Sequence, residues 1–230
     1  ETPVTLYLIG GGNMSLRGMK PTTKDVDIVL MSYNELEALK VAVQKIGFSI
    51  DNELFQDLSM KRQKGRFFMV SQWKDPKKPF LVLEAFKRIL RFYSFVRLVI
   101  GGYGPQWPLI EKLSEGCEEI ELLGRLTPEE IVIQLNTANA FVHPSDYETF
   151  SVVCAEALAC HCPVVASKVG GIPEFVNSKN GILVEENTID AFSSAMEYIV
   201  SHEIPMDEIP RFSEQQVGLS YCKVLKGVIS

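Results

Sequence analysis

From Arg66 onward, short apolar runs alternate with segments of helical spacing, and glycine and proline punctuate the turns between them. Phe67–Gln72, Arg97–Ile100, Ile120–Leu123, Ala140–His143, Val164–Ser167 and Gly181–Val184 read as strands. Phe80–Phe92, Leu109–Leu113, Pro128–Ala138, Ser151–Cys160, Ile189–Val200 and Phe212–Val228 read as helices. A strand that reaches the next strand through a helix pairs with it in parallel. The pattern predicts about six parallel strands with helices on both faces, an α/β, doubly wound, Rossmann-like sheet. Pro79 suits the first turn of its helix, where a missing N–H costs nothing. Thr127 and Glu130 have the spacing of a capping box.

Residues 1–63 have a different texture and read as a separate small α/β segment, with residues 64–230 as the main domain. Thr5–Ile9 predicts a short strand, and Gly10-Gly11-Gly12 a tight turn. Asp25–Met31 predicts a strand with carboxylates at its start. Asn34–Ile46 places Leu36, Leu39, Val43 and Ile46 on one helical face, with Asn34 as N-cap and Gly47 at C′. The polar run Lys61–Gly65 reads as a linker or surface turn.

The formal charge is −6, from 23 basic and 29 acidic residues. That balance gives no electrostatic reason to expect nucleic acid as a partner, and leaves room for a local basic pocket. Cysteines stand at 117, 154, 160, 162 and 222, an odd count with three of them inside apolar runs. Buried, reduced thiols and a cytoplasmic location are expected. Cys160-His161-Cys162 lacks a second ligand pair at zinc spacing. The longest apolar stretch, Phe150–Ala166, contains Glu156 and His161, so no transmembrane segment is expected. The start of the chain shows no signal-peptide pattern.

The richest chemistry lies between Asp146 and Pro163. Glu148 ends a loop after a strand, and Glu156 falls two turns into the next helix, so both carboxylates can face one crevice at the carboxyl end of a parallel strand. Two acceptor-only groups suit a ligand rich in hydroxyls, such as a sugar or a ribose. Each piece also has a bland reading. Glutamates eight apart are commonly solvated, Lys77 beside Lys78 is commonly a surface pair, and His143 before a proline is more often a packed strand-end histidine than a base.

The pieces gain meaning in order. Lys77 with Leu83-Glu84-Ala85-Phe86, Gly102-Tyr103-Gly104-Pro105, Leu123-Gly124, Pro144-Ser145-Asp146-Tyr147-Glu148, Glu156-Ala157-Leu158-Ala159, Cys162-Pro163-Val164-Val165-Ala166, Gly170-Gly171-Ile172-Pro173-Glu174 and Asn180-Gly181-Ile182-Leu183-Val184 follow one another along the chain. From about Phe67 to Leu225 the chain resembles the C-terminal, donor-binding half of the group 1 (family 4) retaining glycosyltransferases of the GT-B fold. The resemblance implies transfer of a sugar from a nucleoside-diphosphate sugar to an acceptor hydroxyl with retention, with no cofactor or metal required. It implies that Glu148 contacts the donor sugar, Glu156 the ribose, and Lys77 the diphosphate, whose developing charge a fixed cation stabilises. It places the backbone of Phe150, Ser151 and Val152 at the phosphates or sugar. It also lets Gly102 and Gly104 approach the ligand, and sets Leu123 and Gly124 against the base. Two positions depart from the family: Gln72 stands where arginine is usual, and Thr149-Phe150-Ser151 where Gly-Phe-Gly is usual.

Residues 1–60 do not resemble that family's acceptor-binding domain, so a full acceptor half is not expected here, and the acceptor (glycan, lipid or small molecule) stays open. The segment Gly11-Gly12-Asn13-Met14-Ser15 followed by Thr23–Val29 resembles the start of a polymerase-β-like nucleotidyltransferase. That resemblance implies Mg²⁺ on Asp25 and Asp27, which share a strand face. The alternatives are therefore a nucleotide-sugar-binding module or chimera without activity, and a Mg-dependent nucleotidyltransferase.

Overall fold

The computed structural model describes residues 50–207, together with the backbone of Tyr7–Ile9 and Asp27–Val29. The chain divides into two units, Glu1–Ile50 with Phe212–Ser230, and Asp51–Arg211. In the smaller unit, β1 (Tyr7–Ile9) and β2 (Asp27–Val29) pair antiparallel, with Ile9 opposite Asp27. The expected helices Asn34–Ile46 and Phe212–Val228, the triple-glycine turn and Asp25 lie outside the described residues.

The larger unit carries β3 (Arg66–Gln72), α1 (Pro79–Leu90), β4 (Arg97–Tyr103), α2 (Trp107–Ser114), β5 (Ile120–Gly124) and α3 (Pro128–Thr137). It continues with β6 (Ala140–His143), α4 (Val152–Ala159), β7 (Val164–Ser167), a 3₁₀ turn (Ile172–Glu174), β8 (Gly181–Val184) and α5 (Ile189–Ser201). The six strands form one parallel sheet in the order β5-β4-β3-β6-β7-β8. This is the doubly wound α/β sheet that the alternation predicts. β4 runs past Ile100 to Tyr103, because Gly101 and Gly102 pair with Val70 and Ser71 instead of turning.

Burial explains the strand composition. Phe67, Phe68 and Met69 of β3 are fully buried, as are Phe141 and Val142 of β6 and Val164 and Val165 of β7. A parallel strand covered on both faces has no polar face, so its sequence reads as a continuous apolar run. Right-handed crossovers put α1 and α2 on one face, and α3 and α4 on the other. Phe86 of α1 and Phe192 of α5 are fully buried in the same core cluster. At the start of α3, Thr127 Oγ1 accepts from Glu130 N–H at 3.3 Å and Glu130 Oε2 accepts from Thr127 N–H at 2.7 Å, the reciprocal cap expected from their spacing.

Residues 51–63 belong to the larger unit and are anchored to its helices by polar groups. Asn136, 1% exposed, accepts from Leu58 N–H at 2.7 Å and donates to Gln56 O at 3.0 Å and Val132 O at 2.9 Å. Arg62 donates to Leu135 O at 2.9 Å and Ala138 O at 3.0 Å, and to Cys160 O at 2.7 Å. The sequence suggested a linker or surface turn at Lys61–Gly65. The guanidinium fork instead ties the carboxyl ends of α3 and α4, where unpaired carbonyls and the helix dipoles attract a cation.

Asn136→Ala removes the partner of Leu58 N–H and Gln56 O, and should lower the stability of the larger unit by about 1–3 kcal/mol. Trp73 and Trp107, the chain's two tryptophans, both lie in that unit, so fluorescence-detected urea unfolding reads it directly. A wild-type midpoint would remove this anchor from the account.

Candidate functional site

Strand order reverses between β3 and β6, since β4 and β5 follow β3 to one side while β7 and β8 follow β6 to the other. Open α/β sheets bind ligands at such a reversal, outside the carboxyl ends of the strands. Backbone contacts fix the loops leaving β3 and β6 to each other. Lys77 and Ser145 form an isolated antiparallel bridge, Lys78 N–H donates to Pro144 O at 3.2 Å, and Asp146 N–H donates to Pro76 O at 3.1 Å. Lys78 Nζ pairs with Asp146 Oδ2 at 2.9 Å, and Asn187 Nδ2 donates to Ser145 O and Asp146 Oδ1, each at 2.9 Å. The ion pair and the Asn187 bond hold the Asp146 carboxyl below its usual range.

Within that frame Lys77 Nζ forms an ion pair with Glu148 Oε1, and His143 Nε2 hydrogen-bonds to the same oxygen. Lys77 Nζ lies 3.4 Å from His143 Nε2. The side chains of Lys77 and Glu148 are 16% and 12% exposed, so the pair is largely withdrawn from water. His143 is 1% exposed, and its ring stacks on Phe141 at a centroid distance of 6.0 Å. Burial disfavours the imidazolium and the nearby ammonium adds to this, so His143 is held below its usual value despite the Glu148 bond. A neutral ring donates through one nitrogen only. Nε2 therefore carries the proton shared with Glu148, and the Lys77–His143 approach is a contact between two donors. Burial alone would raise the Glu148 carboxyl, but the His143 hydrogen bond and the Lys77 charge outweigh it and hold the group ionised.

The loop after β7 seats this glutamate from behind. Gly170 has φ +54°, and a Cβ there would fall 1.5 Å from Glu148 O. Gly171 N–H donates to Thr149 O at 3.1 Å. The Gly170-Gly171 turn thus shapes the loop that carries Glu148.

α4 begins at Val152 behind a buried Ser151 in the left-handed region, φ 68°. Phe150 packs on Phe175 at a centroid distance of 5.0 Å. The first N–H groups of α4 have no intrahelical acceptor, as at any helix start. Glu156 is half-buried on the same helix. Burial pushes the Cys154 thiol well up, and the charges of Glu148 and Glu156 push it the same way. One α4 side chain therefore feels both carboxylates that the eight-residue spacing paired. Cys160 and Cys162 are likewise pushed up by burial, to about 12 and about 11. These thiols stay protonated at neutral pH.

Gly102, Gly104, Leu123 and Gly124 end β4 and β5, with Gly101 paired to Gly124. Gly102 and Gly104 have φ +110° and +141°, and Cβ atoms there would meet Ser71 O at 2.0 Å and Trp73 O at 2.4 Å. Gly102 thus closes on β3 itself and Gly104 on the loop after it, where Trp73 is fully buried and donates through Nε1 to Gly101 O at 2.8 Å. Gly124, at φ +66°, faces open space. Gln72, at the family's arginine position, is exposed.

Sequence reasoning passed over two features. It left His143 as packing, although a polar residue ending an apolar strand just ahead of Glu148 was a signal. It also missed Arg125, whose guanidinium lies 4.5 Å over the exposed Tyr103 ring. Among the described residues no group of three or more His, Cys, Asp or Glu side chains could hold a metal ion. No described helix is long and apolar enough to cross a membrane.

Residues 51–215 match the family described as Glycosyl transferases group 1. The gpi3 subunit of phosphatidylinositol N-acetylglucosaminyltransferase from Schizosaccharomyces pombe is 29% identical over 130 residues, 54% of this chain and 28% of that protein. The chain spans between 22% and 32% of the length of the curated relatives it matches. A mutant TarM of S. aureus, solved with fondaparinux, α-GlcNAc-glycerol and UDP, is similar in fold, with a TM-score of 0.64 at 20% identity over 75% of this chain and 37% of that one. The C-terminal domain of LpcC, a glycosyl transferase group 1 family protein of Francisella tularensis, gives a TM-score of 0.61 at 21% identity over 75% of this chain and 98% of that domain.

The cluster predicts a pH dependence of stability. Below the ordinary histidine value of 6.5 the unfolded chain takes up a proton that buried His143 refuses, so stability is complete above that pH and is lost as pH falls toward the folded value. Glu148 adds a second loss below its ordinary 4.5, as pH falls through its depressed folded value. The urea midpoint should therefore fall between about pH 7.5 and about pH 5.5, and His143→Gln should flatten that fall. The other two histidines, His161 and His202, are exposed. A wild-type slope in His143→Gln would contradict the assignment.

Proposed function

The chain belongs to the group 1 glycosyl transferases, and from that premise we propose that its larger unit binds the activated sugar of such an enzyme. In this reading it is the donor-binding half, and its ligand is a nucleoside-diphosphate sugar. The bond from the anomeric carbon to the diphosphate oxygen breaks, a bond to an acceptor hydroxyl oxygen forms with retention, and the departing nucleoside diphosphate takes up the acceptor proton. The observation that carries the reading is the joining of Lys77 to Glu148 at the point where strand order reverses.

Lys77 turns from Glu148 to the diphosphate and neutralises the charge that builds on the leaving group. The first N–H groups of α4 face the same anion, adding the positive end of the helix dipole. Together these groups take over the role a divalent metal plays elsewhere, so binding proceeds without Mg²⁺. Glu148, freed from the ammonium, accepts from sugar hydroxyls, and Glu156 accepts from the ribose. The base lies over Leu123-Gly124, where the open side of Gly124 leaves room. The acceptor is a glycan, a lipid or a small hydroxylated molecule, held by a part of the enzyme other than this unit.

UDP, GDP or ADP should raise the melting temperature in the absence of Mg²⁺. Lys77→Ala should cost about 1.5–3 kcal/mol of that binding, the size of a charge-assisted hydrogen bond, and Glu156→Ala should weaken nucleoside diphosphates but not pyrophosphate. Stabilisation by ATP only with Mg²⁺ would point instead to Asp25 and Asp27. Nucleotide binding without turnover of a labelled nucleotide sugar would make this unit a binding module.

A further inference from the structure

Three side chains meet at one oxygen at the carboxyl end of the sheet, and their chemistry decides which contact persists. Lys77 has three donors and no acceptor, and Glu148 has acceptors only. A phosphate entering the crevice offers Lys77 a denser negative charge than one carboxylate does. A Glu148 that lost Lys77 without replacement would be a largely buried, unpaired carboxylate, which is costly. Among the described residues, His143 is the other hydrogen-bonding partner shown for that carboxylate.

His143 is built to remain. It ends β6, which is buried along its whole length between β3 and β7, and its ring is pinned against Phe141. At 1% exposure it has no room to follow Lys77 or Glu148 outward. The charged groups that face it are Lys77, from the loop ahead of α1, and Glu148, from the loop ahead of α4. β7 carries no titratable side chain, and Arg66 of β3 sits at that strand's amino end, hydrogen-bonded to Gln134 and Thr137.

We propose that His143 is a positioning residue for ligand exchange: its Nε2–H holds the Glu148 carboxylate in place while Lys77 trades that carboxylate for phosphate oxygens. This rests on the diphosphate-binding reading of the site. In the structure Lys77 and His143 share Glu148, and with a diphosphate bound His143 keeps it alone, already aimed at the sugar. The ion pair is then a pre-assembled latch, and the histidine is what allows it to open without stranding a buried charge.

Two variants of the full chain separate positioning from packing. His143→Phe keeps an aromatic ring but has no donor, and His143→Gln restores an N–H donor. Calorimetric titration without Mg²⁺, using UDP and inorganic pyrophosphate, should show both ligands weakened about tenfold in His143→Phe and restored to within about threefold in His143→Gln. A carbon-13 titration of the Glu148 carboxyl in the ligand-free chain should move to higher pH in His143→Phe and stay near wild type in His143→Gln. Wild-type affinity in His143→Phe overturns the proposal. So does equal weakness in both variants when both melt like wild type, or an unmoved Glu148 titration in His143→Phe. If the wild-type chain binds neither ligand, the diphosphate reading falls and ligand exchange falls with it. In that case the carboxyl titration still reads the His143–Glu148 contact on its own.

Discussion

The ion pair of Lys77 with Glu148, held from behind by His143, is the contact on which the carboxyl end of this sheet is organised. Withdrawing two charges from water is unfavourable, and removing one partner of such a pair typically costs about 3–5 kcal/mol, because the other charge is left buried alone. The surrounding backbone is arranged so that neither charge is stranded. The Lys77–Ser145 bridge brings the loops together, and the Gly170 turn leaves space for the Glu148 carbonyl. The burial of His143 keeps a neutral donor beside the carboxylate. In the proposed exchange, a rigid frame around a pair that opens only for a stronger anion would give a physical basis for selectivity, since uncharged ligands would give Lys77 no reason to leave.

The sheet makes this arrangement possible through its connectivity. Strands whose crossovers all ran one way would send consecutive loops across the same face. Here the chain winds outward from β3 in one direction and from β6 in the other, and such a reversal is where open α/β sheets bind ligands. Features far from the crevice support it. Arg62 gathers the ends of α3 and α4, the helices on either side of β6 in sequence, and Asn136 fixes residues 51–63 against α3. The β6 strand that presents His143 is therefore braced at its amino end by polar contacts and at its carboxyl end by the ion pair.

Much of this was legible before any coordinates. The period of the apolar residues marked every strand of the larger sheet, and Thr127 with Glu130 marked the start of α3, because both signals depend on neighbours in sequence. Lys77, Glu148 and Glu156 stood out through order and spacing. His143 did not, because a strand-end histidine is ordinary until its distance to Glu148 is known. Arg125 over Tyr103 joins the loop after β5 to the end of β4, and nothing local in either segment announces the other. Gly102 and Gly104 were legible as close-approach positions, but what approaches them is the end of β3 at Ser71 and the Trp73 backbone just after it. Lys61–Gly65 looked like a linker because its composition is polar, and composition does not reveal that Arg62 finds three backbone carbonyls at the ends of two helices.

The amino-acid sequence by itself determined the parallel α/β architecture and the family, since hydrophobic period, turn residues and motif order are properties of the chain read locally. Tertiary structure decided which side chains share an oxygen, which stay dry, and which nitrogen of His143 meets Glu148. Those depend on strand order and on loops brought together from positions 66 or more residues apart, and the strength of a charge contact follows from its distance and its exclusion of water, neither of which a sequence position carries.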